Sequence, residues 1–390
     1  MKDHVVPKAG IIDAGKQRLA FYLNQYRLTL INTTIPDSDQ PMDYSSIHFP
    51  GPFIYGRAFP GNDIALYTSV PTTFCMTRNL SIGAYCLAEN SYPVSNWQFD
   101  RIVCQGGTLD ELFDRATQDS ESEFPISIDG QPCRLNLARK KCTRYEIGGE
   151  STLFLPELSL IFPEQQPLGK VFPYISRLKE AMAFLAMKKN VGFYKIYLHS
   201  EKDPKQYISV FIKEEYPVFP RWKHSAHLTF DDLKDYISPL CMLFLNRVPG
   251  TASYELGFLP PDERFVHEIS DEQIRLIGSA IDCEFYFIQT HKTKSLGAVG
   301  KIQKLYEKHQ KELSQLIGIR IIPTPATLDN FRHFVDYRND ITHGRYQIKD
   351  QKVSDIARIL QKLIYCCLLT RLGMSSEEIQ NLFHRKFLEC

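Results

Sequence analysis

Along residues 1–175 the apolar positions come in short β-branched and aromatic runs cut by Gly, Pro, Asn and Asp, as in Tyr26 to Ile35, Phe74 to Leu87 and Thr152 to Phe162. Runs of that length between turn residues suit strands, whose side chains alternate between two faces and whose chain must reverse every few residues. The pattern predicts a β-rich N-terminal domain over 1–175. It is interrupted by one helix from Gly107 to Ala116, where Thr108 and Glu111 have the spacing of a capping box. A helix from Ile175 to Lys189 follows, then strands at Gly192 to His199 and Gln206 to Ile212 and a proline-rich passage from Tyr216 to Trp222. Residues 176–260 therefore read as a mixed α/β middle region. Pro260 and Pro261 close it, since paired prolines continue neither a helix nor a ladder.

Beyond Pro261 the period lengthens to that of helices. Ser270 and Gln273 form a capping box, and Ile274, Ile277, Ile281, Phe285 and Ile288 follow at steps of three and four. A second amphipathic helix spans Ala298 to Ile317. A third has Thr324 and Pro325 at its cap and first turn, runs to His343 and stops at Gly344. In the fourth, Val353, Ile356, Leu360, Leu363 and Cys367 line one face before Gly373, and a fifth starts after Ser375 or Ser376. Residues 261–390 are thus an all-α bundle. The fold class is α+β, a β-rich region followed by helices, with no internal repeat.

Composition changes this picture little. A chain of 390 residues has room for two or three full cores, and 43% hydrophobic content is ordinary for a globular protein. No apolar run approaches the roughly 18 residues of a membrane span, and MKDHVVPKAG carries no secretory h-region, so the expected place is the cytoplasm, without membrane contact. The ten cysteines include no C-x-x-C pair and read as buried thiols. Forty-six basic residues against forty-five acidic ones give a net charge of +1, so any contact with nucleic acid must be local.

The candidate chemistry sits on the third helix. Taking Leu328 as zero on a wheel of about 100° per residue, Phe331, Phe334, Val335 and Ile341 form one apolar stripe, and Arg338 falls at about 280°, inside it. A guanidinium on a packing face is costly unless it is paired or has a task. Asn339 and His343 lie beside the stripe, four residues apart and therefore neighbours, and the carbonyls ending the helix favour a cation at His343. A buried Arg with a carboxylate partner and a helix-terminal His would also satisfy this geometry without any function.

The string Arg338-Asn339-Asp340-Ile341-Thr342-His343, followed by Gly344 near the end of the third long helix of a small bundle, resembles the R-x4-H motif of the HEPN ribonucleases. The resemblance covers about residues 265–390. It implies RNA cleavage without metal or other cofactor: His343 acts on the 2′-hydroxyl or the leaving oxygen, Arg338 neutralises the scissile phosphate, and Asn339 orients one or both. It also implies an acidic residue on the first bundle helix, matched here by Glu284 as partner of Arg338. It implies pairing of two copies as well, with the Phe331, Phe334 and Val335 face of the third helix as interface. A β-rich region ahead of such a bundle is similar to the ApeA-like proteins of bacterial antiphage defence. That likeness implies abortive infection, in which a phage-derived trigger releases cleavage of RNA such as tRNA. Two other readings stay open: a non-catalytic HEPN module binding RNA or a partner protein, and a ligand-sensing β domain whose helical part only dimerises.

Three further signals carry less. Gly10 to Gln17 nearly spells a P-loop, but Gln17 replaces the Ser or Thr that Mg²⁺ requires and no buried strand precedes it. His224 and His227 form an isolated H-x-x-H that reads as loop. Trp97, Trp222 and the many other aromatic residues could stack bases, yet belong mainly to cores.

Overall fold

The computed structural model describes residues 7–14, 17–31, 48–49, 51–68, 72–73, 79–88, 97–113, 120–146, 149–202, 207–213, 227–246, 256–261, 269–289, 295–317, 328–345 and 348–387. Strands dominate the first half. They are β1 (Lys8–Ala14), β2 (Gln17–Asn24), β3 (Arg27–Ile31), β4 (His48–Phe49), β5 (Phe53–Ala58), β6 (Asn62–Tyr67), β7 (Thr72–Thr73), β8 (Asn79–Ser81), β9 (Ala84–Ala88), β10 (Gln98–Gln105), β11 (Ser120–Ile128), β12 (Gln131–Glu146), β13 (Gly149–Pro167), β14 (Lys195–His199) and β15 (Tyr207–Ile212). Among the described residues, all but β4 and β7 join one antiparallel sheet in the order β11-β12-β13-β10-β14-β15-β9-β6-β5-β1-β2-β3-β8.

Strands from both sides of residue 175 share that sheet. β14 and β15 lie between β10 and β9, in the middle of the sheet. The expected middle region thus contributes two strands to the sheet. Alternation explains its place: Ile196, Leu198, Ile208 and Val210 turn into the core that also buries Ile102, Cys104, Leu158 and Leu160. Helix α2 (Val171–Ala186) covers this face with Ile175, Leu178 and Met182, and α3 (Ile237–Leu245), which no periodicity announces, packs beside it. The opposite face is covered along β5, β6 and β9 by a smaller core including Phe21, Leu30, Ile64 and Tyr85.

Local chemistry decides several other expectations. Gly10 to Gln17 is a β1–β2 hairpin, in which Ala14 pairs with Gln17, and not a strand, loop and helix. Gly10 is required where β1 meets β5, because a Cβ there would stand 2.1 Å from the carbonyl oxygen of Arg57. Among the described residues between Gly107 and Ala116, the helix is α1 (Leu109–Leu112). Its capping box does not form: the Thr108 hydroxyl accepts from the backbone N–H of Gly192 at 3.0 Å, and Glu111 is drawn to Lys188 at 2.8 Å. Trp97 is core, whereas Trp222 and His224 lie outside the described residues. Cys86, Cys104, Cys133, Cys241, Cys366 and Cys367 are buried free thiols, and burial pushes that of Cys241 up to about 12.

The bundle comprises α4 (Asp271–Tyr286), α5 (Ala298–Lys308), α6 (Gln310–Ile317), α7 (Leu328–Thr342), α8 (Gln351–Arg371) and α9 (Ser376–Phe387). Both halves of the Ser270–Gln273 capping box are present. The predicted helix from Ala298 to Ile317 is broken at His309, a buried residue 3.7 Å from buried Glu312. Thr324 and Pro325 lie outside the described residues. Bundle and sheet share one core: the ring of Tyr365 in α8 stacks on Phe184 of α2 at 4.9 Å, and its hydroxyl donates to the Phe184 carbonyl at 2.9 Å.

Candidate functional site

Helix α7 has two unlike sides. Phe331 and Phe334 are 2% and 1% exposed, and Val335, Tyr337 and Ile341 are buried with them. Phe331 meets the ring of Tyr306 in α5 edge to face at 5.4 Å, and the Tyr337 hydroxyl donates to Asp271 of α4 at 3.0 Å. The apolar stripe is therefore filled by the chain's own helices, which overturns the expectation that Phe331, Phe334 and Val335 form an interface with a second copy. Arg332, Asp336 and His343 are exposed and Asn339 partly so. Their spacing of four, three and four sets all of them on the side away from the core.

Arg338 stands between the two sides and crosses to α4. It passes over Gly278, where a Cβ would come within 2.9 Å of Nε, so any larger residue there would push the arginine aside. Its Nη1 donates to Asn339 Oδ1 at 3.2 Å, its Nη2 lies 4.0 Å from Asp282 Oδ2, and its Nε is buried without a hydrogen-bond partner. The side chain is 26% exposed. Asp282 is held more closely by Lys301 of α5, whose Nζ donates at 2.6 Å. Two cations thus share one carboxylate, and the arginine is the more loosely bound.

Glu284 is not the partner of Arg338. Two residues along a helix turn a side chain by about 200°, so Glu284 points into the bundle while Asp282 faces the seam with α7. Glu284 accepts from Nη1 of Arg371 in α8 at 2.8 Å, and that guanidinium lies over the ring of Phe287, 3.9 Å from its centroid.

The end of α7 is built to present His343. Gly344 adopts φ +72°, which ends the helix directly after it, and the His343 N–H donates to the Asn339 carbonyl at 3.0 Å. Arg275 of α4 donates from Nη2 to the Ile341 carbonyl at 3.0 Å, and the Arg345 N–H donates to that of Asp340 at 2.8 Å. Arg275 and Lys301 also line this seam, and the sequence did not single them out. Arg275, Gly278 and Asp282 do stand at steps of three and four along α4, but without knowing that α4 lies against α7 such a row reads as a solvated face.

The seam between α4 and α7 thus brings together Arg275, Lys301, Arg338, Asn339 and Asp282, and His343 follows the end of the same helix with its side chain exposed. Such a set can bind a phosphodiester and move a proton beside it. Among the described residues no three or more His, Cys, Asp or Glu side chains stand in position to hold a metal ion. No helix among them is long and apolar enough to cross a membrane.

Residues 282–378 match the model of the family described as Apea-like HEPN. The matched span, about a quarter of the chain, begins within α4, ends in α9, and contains Asp282, Glu284, Lys301, Arg338, Asn339 and His343. It agrees with the resemblance drawn from the third bundle helix and is shorter than the 265–390 expected. No curated protein and no solved structure matches the chain.

Proposed function

We propose that the seam between α4 and α7 is the active site of a metal-independent endoribonuclease of the HEPN type, and that the chain serves bacterial antiphage defence by abortive infection, cutting RNA such as tRNA. One observation carries this reading. Within a span that matches an HEPN family, α7 buries its apolar side completely and turns Asn339 and His343 to solvent, beside an arginine that no close ion pair consumes.

The residue types divide the work. Arg338 takes the scissile phosphate, for which a guanidinium is the best bidentate ligand, and Asn339 steadies it through Oδ1. To do so Arg338 leaves Asp282, a contact at 4.0 Å on the protein surface that contributes only about 0–1 kcal/mol. His343 accepts the proton of the 2′-hydroxyl as its oxygen attacks phosphorus, and a proton returns to the 5′ oxygen as the P–O5′ bond breaks. The products are a 2′,3′-cyclic phosphate and a 5′-hydroxyl.

A second copy completes the proposal. The exposed row Arg332, Asp336, Asn339 and His343, not the apolar stripe, is the surface through which two α7 helices would pair in a homodimer, bringing two sets of Arg338 and His343 to one groove. In this reading the protein works in the cytoplasm and a phage-derived trigger releases it. The test is cleavage by the purified protein in excess EDTA. The proposal expects fragments ending in 2′,3′-cyclic phosphate and 5′-hydroxyl, and no cut where the ribose at the cleavage site is 2′-deoxy. Activity that disappears with EDTA and returns with Mg²⁺ or Mn²⁺, or equal cutting of the deoxy substrate, would refute it.

A further inference from the structure

On the face of the sheet turned away from α2, strands β10, β13, β14 and β15 leave a cavity of about 540 Å³. Alternation puts Arg101, Gln105, Glu157, Tyr197, His199 and Tyr207 on that face, since their strand neighbours Ile102, Leu158, Leu198 and Ile208 occupy the core on the other. Arg101, His199 and Tyr207 are cross-strand partners in one row. The Tyr197 and Tyr207 rings lie 4.6 Å apart at 44°, and His199 meets Tyr207 edge on at 5.4 Å. Burial, followed by the nearby Arg101 guanidinium, holds the His199 imidazole below its ordinary value, so near neutral pH it belongs to the aromatic wall.

The polar groups are unevenly satisfied. Glu157 is buried and fully used, with Oε1 accepting from Lys140 at 2.6 Å and Ser159 at 3.3 Å and Oε2 accepting from Gln105 at 2.8 Å. Asp100 is buried too, and among the described residues only its Oδ2 is engaged, by the Glu201 N–H at 2.7 Å. Arg101, half-buried, has no hydrogen bond or ion pair to any described residue. The cavity therefore offers stacking rings, one guanidinium without a partner among the described residues, and carboxylate oxygens of Asp100 and Glu201 able to accept. An inorganic anion would leave the rings unused, and a cation would leave the Arg101 guanidinium without a partner. A plain hydrocarbon ring would desolvate Arg101 and Asp100 without return.

We propose that this cavity binds one nucleotide, with its base against Tyr197 and Tyr207, an amino group of the base donating to Asp100 or Glu201, and its phosphate on Arg101. Stacking on aromatic side chains is how unpaired bases are held, and a guanidinium is the matching phosphate ligand. The volume lies in the range of about 300–1,000 Å³ usual for such ligands. A free mononucleotide and an unpaired nucleotide of an RNA strand present the same chemistry.

The test uses the full chain carrying His343→Ala, so that RNA survives the measurement and the outcome does not depend on the role of α7. Calorimetry with AMP, GMP, CMP, UMP and guanosine, and anisotropy with a fluorescent single-stranded RNA, distinguish the two sources. Saturable binding is expected in at least one arm, weakened at least about five-fold by Tyr207→Ala and retained by Tyr207→Phe. UMP, which lacks an exocyclic amine, should bind most weakly of the four, and Arg101→Gln should erase the preference for GMP over guanosine. Tighter binding of the strand than of any mononucleotide, with the same sensitivity to Tyr207→Ala, identifies the strand as the source. No saturable binding in either arm, or binding indifferent to both Tyr207→Ala and Arg101→Gln in variants that melt like the parent, overturns the proposal.

Discussion

Two carboxylates from one turn of α4 meet arginines from two different helices, with opposite results. Glu284, 1% exposed, accepts from Arg371 at 2.8 Å, whereas Asp282, 41% exposed and already bound to Lys301, stands 4.0 Å from Arg338 at the seam with α7. A buried pair becomes costly when one partner is lost, because the other charge is stranded away from water. A surface pair contributes little and can open. Position on the helix, more than residue type, separates an arginine committed to the fold from one available to a ligand. The same division runs through α7, where Phe331 and Phe334 serve the core and Asn339 and His343 face outward.

The sharpest way to break this division is Phe334→Asp. Losing the buried ring alone costs about 3–5 kcal/mol, and the carboxylate put in its place adds to that, so urea or thermal melting should show a chain that hardly folds. A well-folded monomer released from a dimer would instead restore the apolar stripe as an interface. Next in size is Arg371→Ala, which strands the buried Glu284 carboxylate and is expected to lose about 3–5 kcal/mol, against a change within about 1 kcal/mol for Asp282→Ala. Equal losses in denaturant titrations would erase the contrast between the two pairs.

Gly278→Ala sharpens it from the other side. Alanine gains up to about 1 kcal/mol in helix propensity, offsetting the crowding of Arg338, so stability should change little. RNA cleavage should nevertheless fall by up to about 100-fold, because a misplacement near 1 Å is enough for that. Cleavage at the parent rate would mean that the path of Arg338 over Gly278 is irrelevant. The smallest effect belongs to Lys301→Ala, with stability moving by less than about 1 kcal/mol and RNA affinity, measured across a salt series, falling modestly at low salt and depending less steeply on added salt than the parent's.

What could be read from the sequence was what spacing encodes. The Ser270–Gln273 cap, the end of α7 at Gly344 and the row Asn339–His343 depend on neighbours within one or two turns, and the structure has them in place. Whatever depends on distant pairing was hidden. β14 and β15 enter the middle of the sheet because Arg101 pairs with His199 and Ile208 with Ala88, about 100 residues away in each case, which no local period reports. The choice of Asp282 over Glu284 beside Arg338 required the rotation of α4 against α7. Thr108 had cap spacing but a better partner at Gly192, and His309 sits on an unbroken amphipathic pattern yet ends α5. The filled stripe of α7 is the same lesson: a wheel shows which side is apolar, not which helix covers it.

The account rests most heavily on His343 acting chemically and not structurally. It is exposed and lies just past the end of α7, so His343→Ala should melt within a degree or two of the parent, as surface substitutions usually do. The direct measurement is sequencing of newly formed RNA 5′ ends in cells that express, under triggering conditions, either the parent or the His343→Ala chain at equal level. The account predicts a discrete set of new 5′-hydroxyl ends and growth arrest with the parent, and neither with the variant. The same ends and the same arrest from a well-folded His343→Ala chain would contradict it.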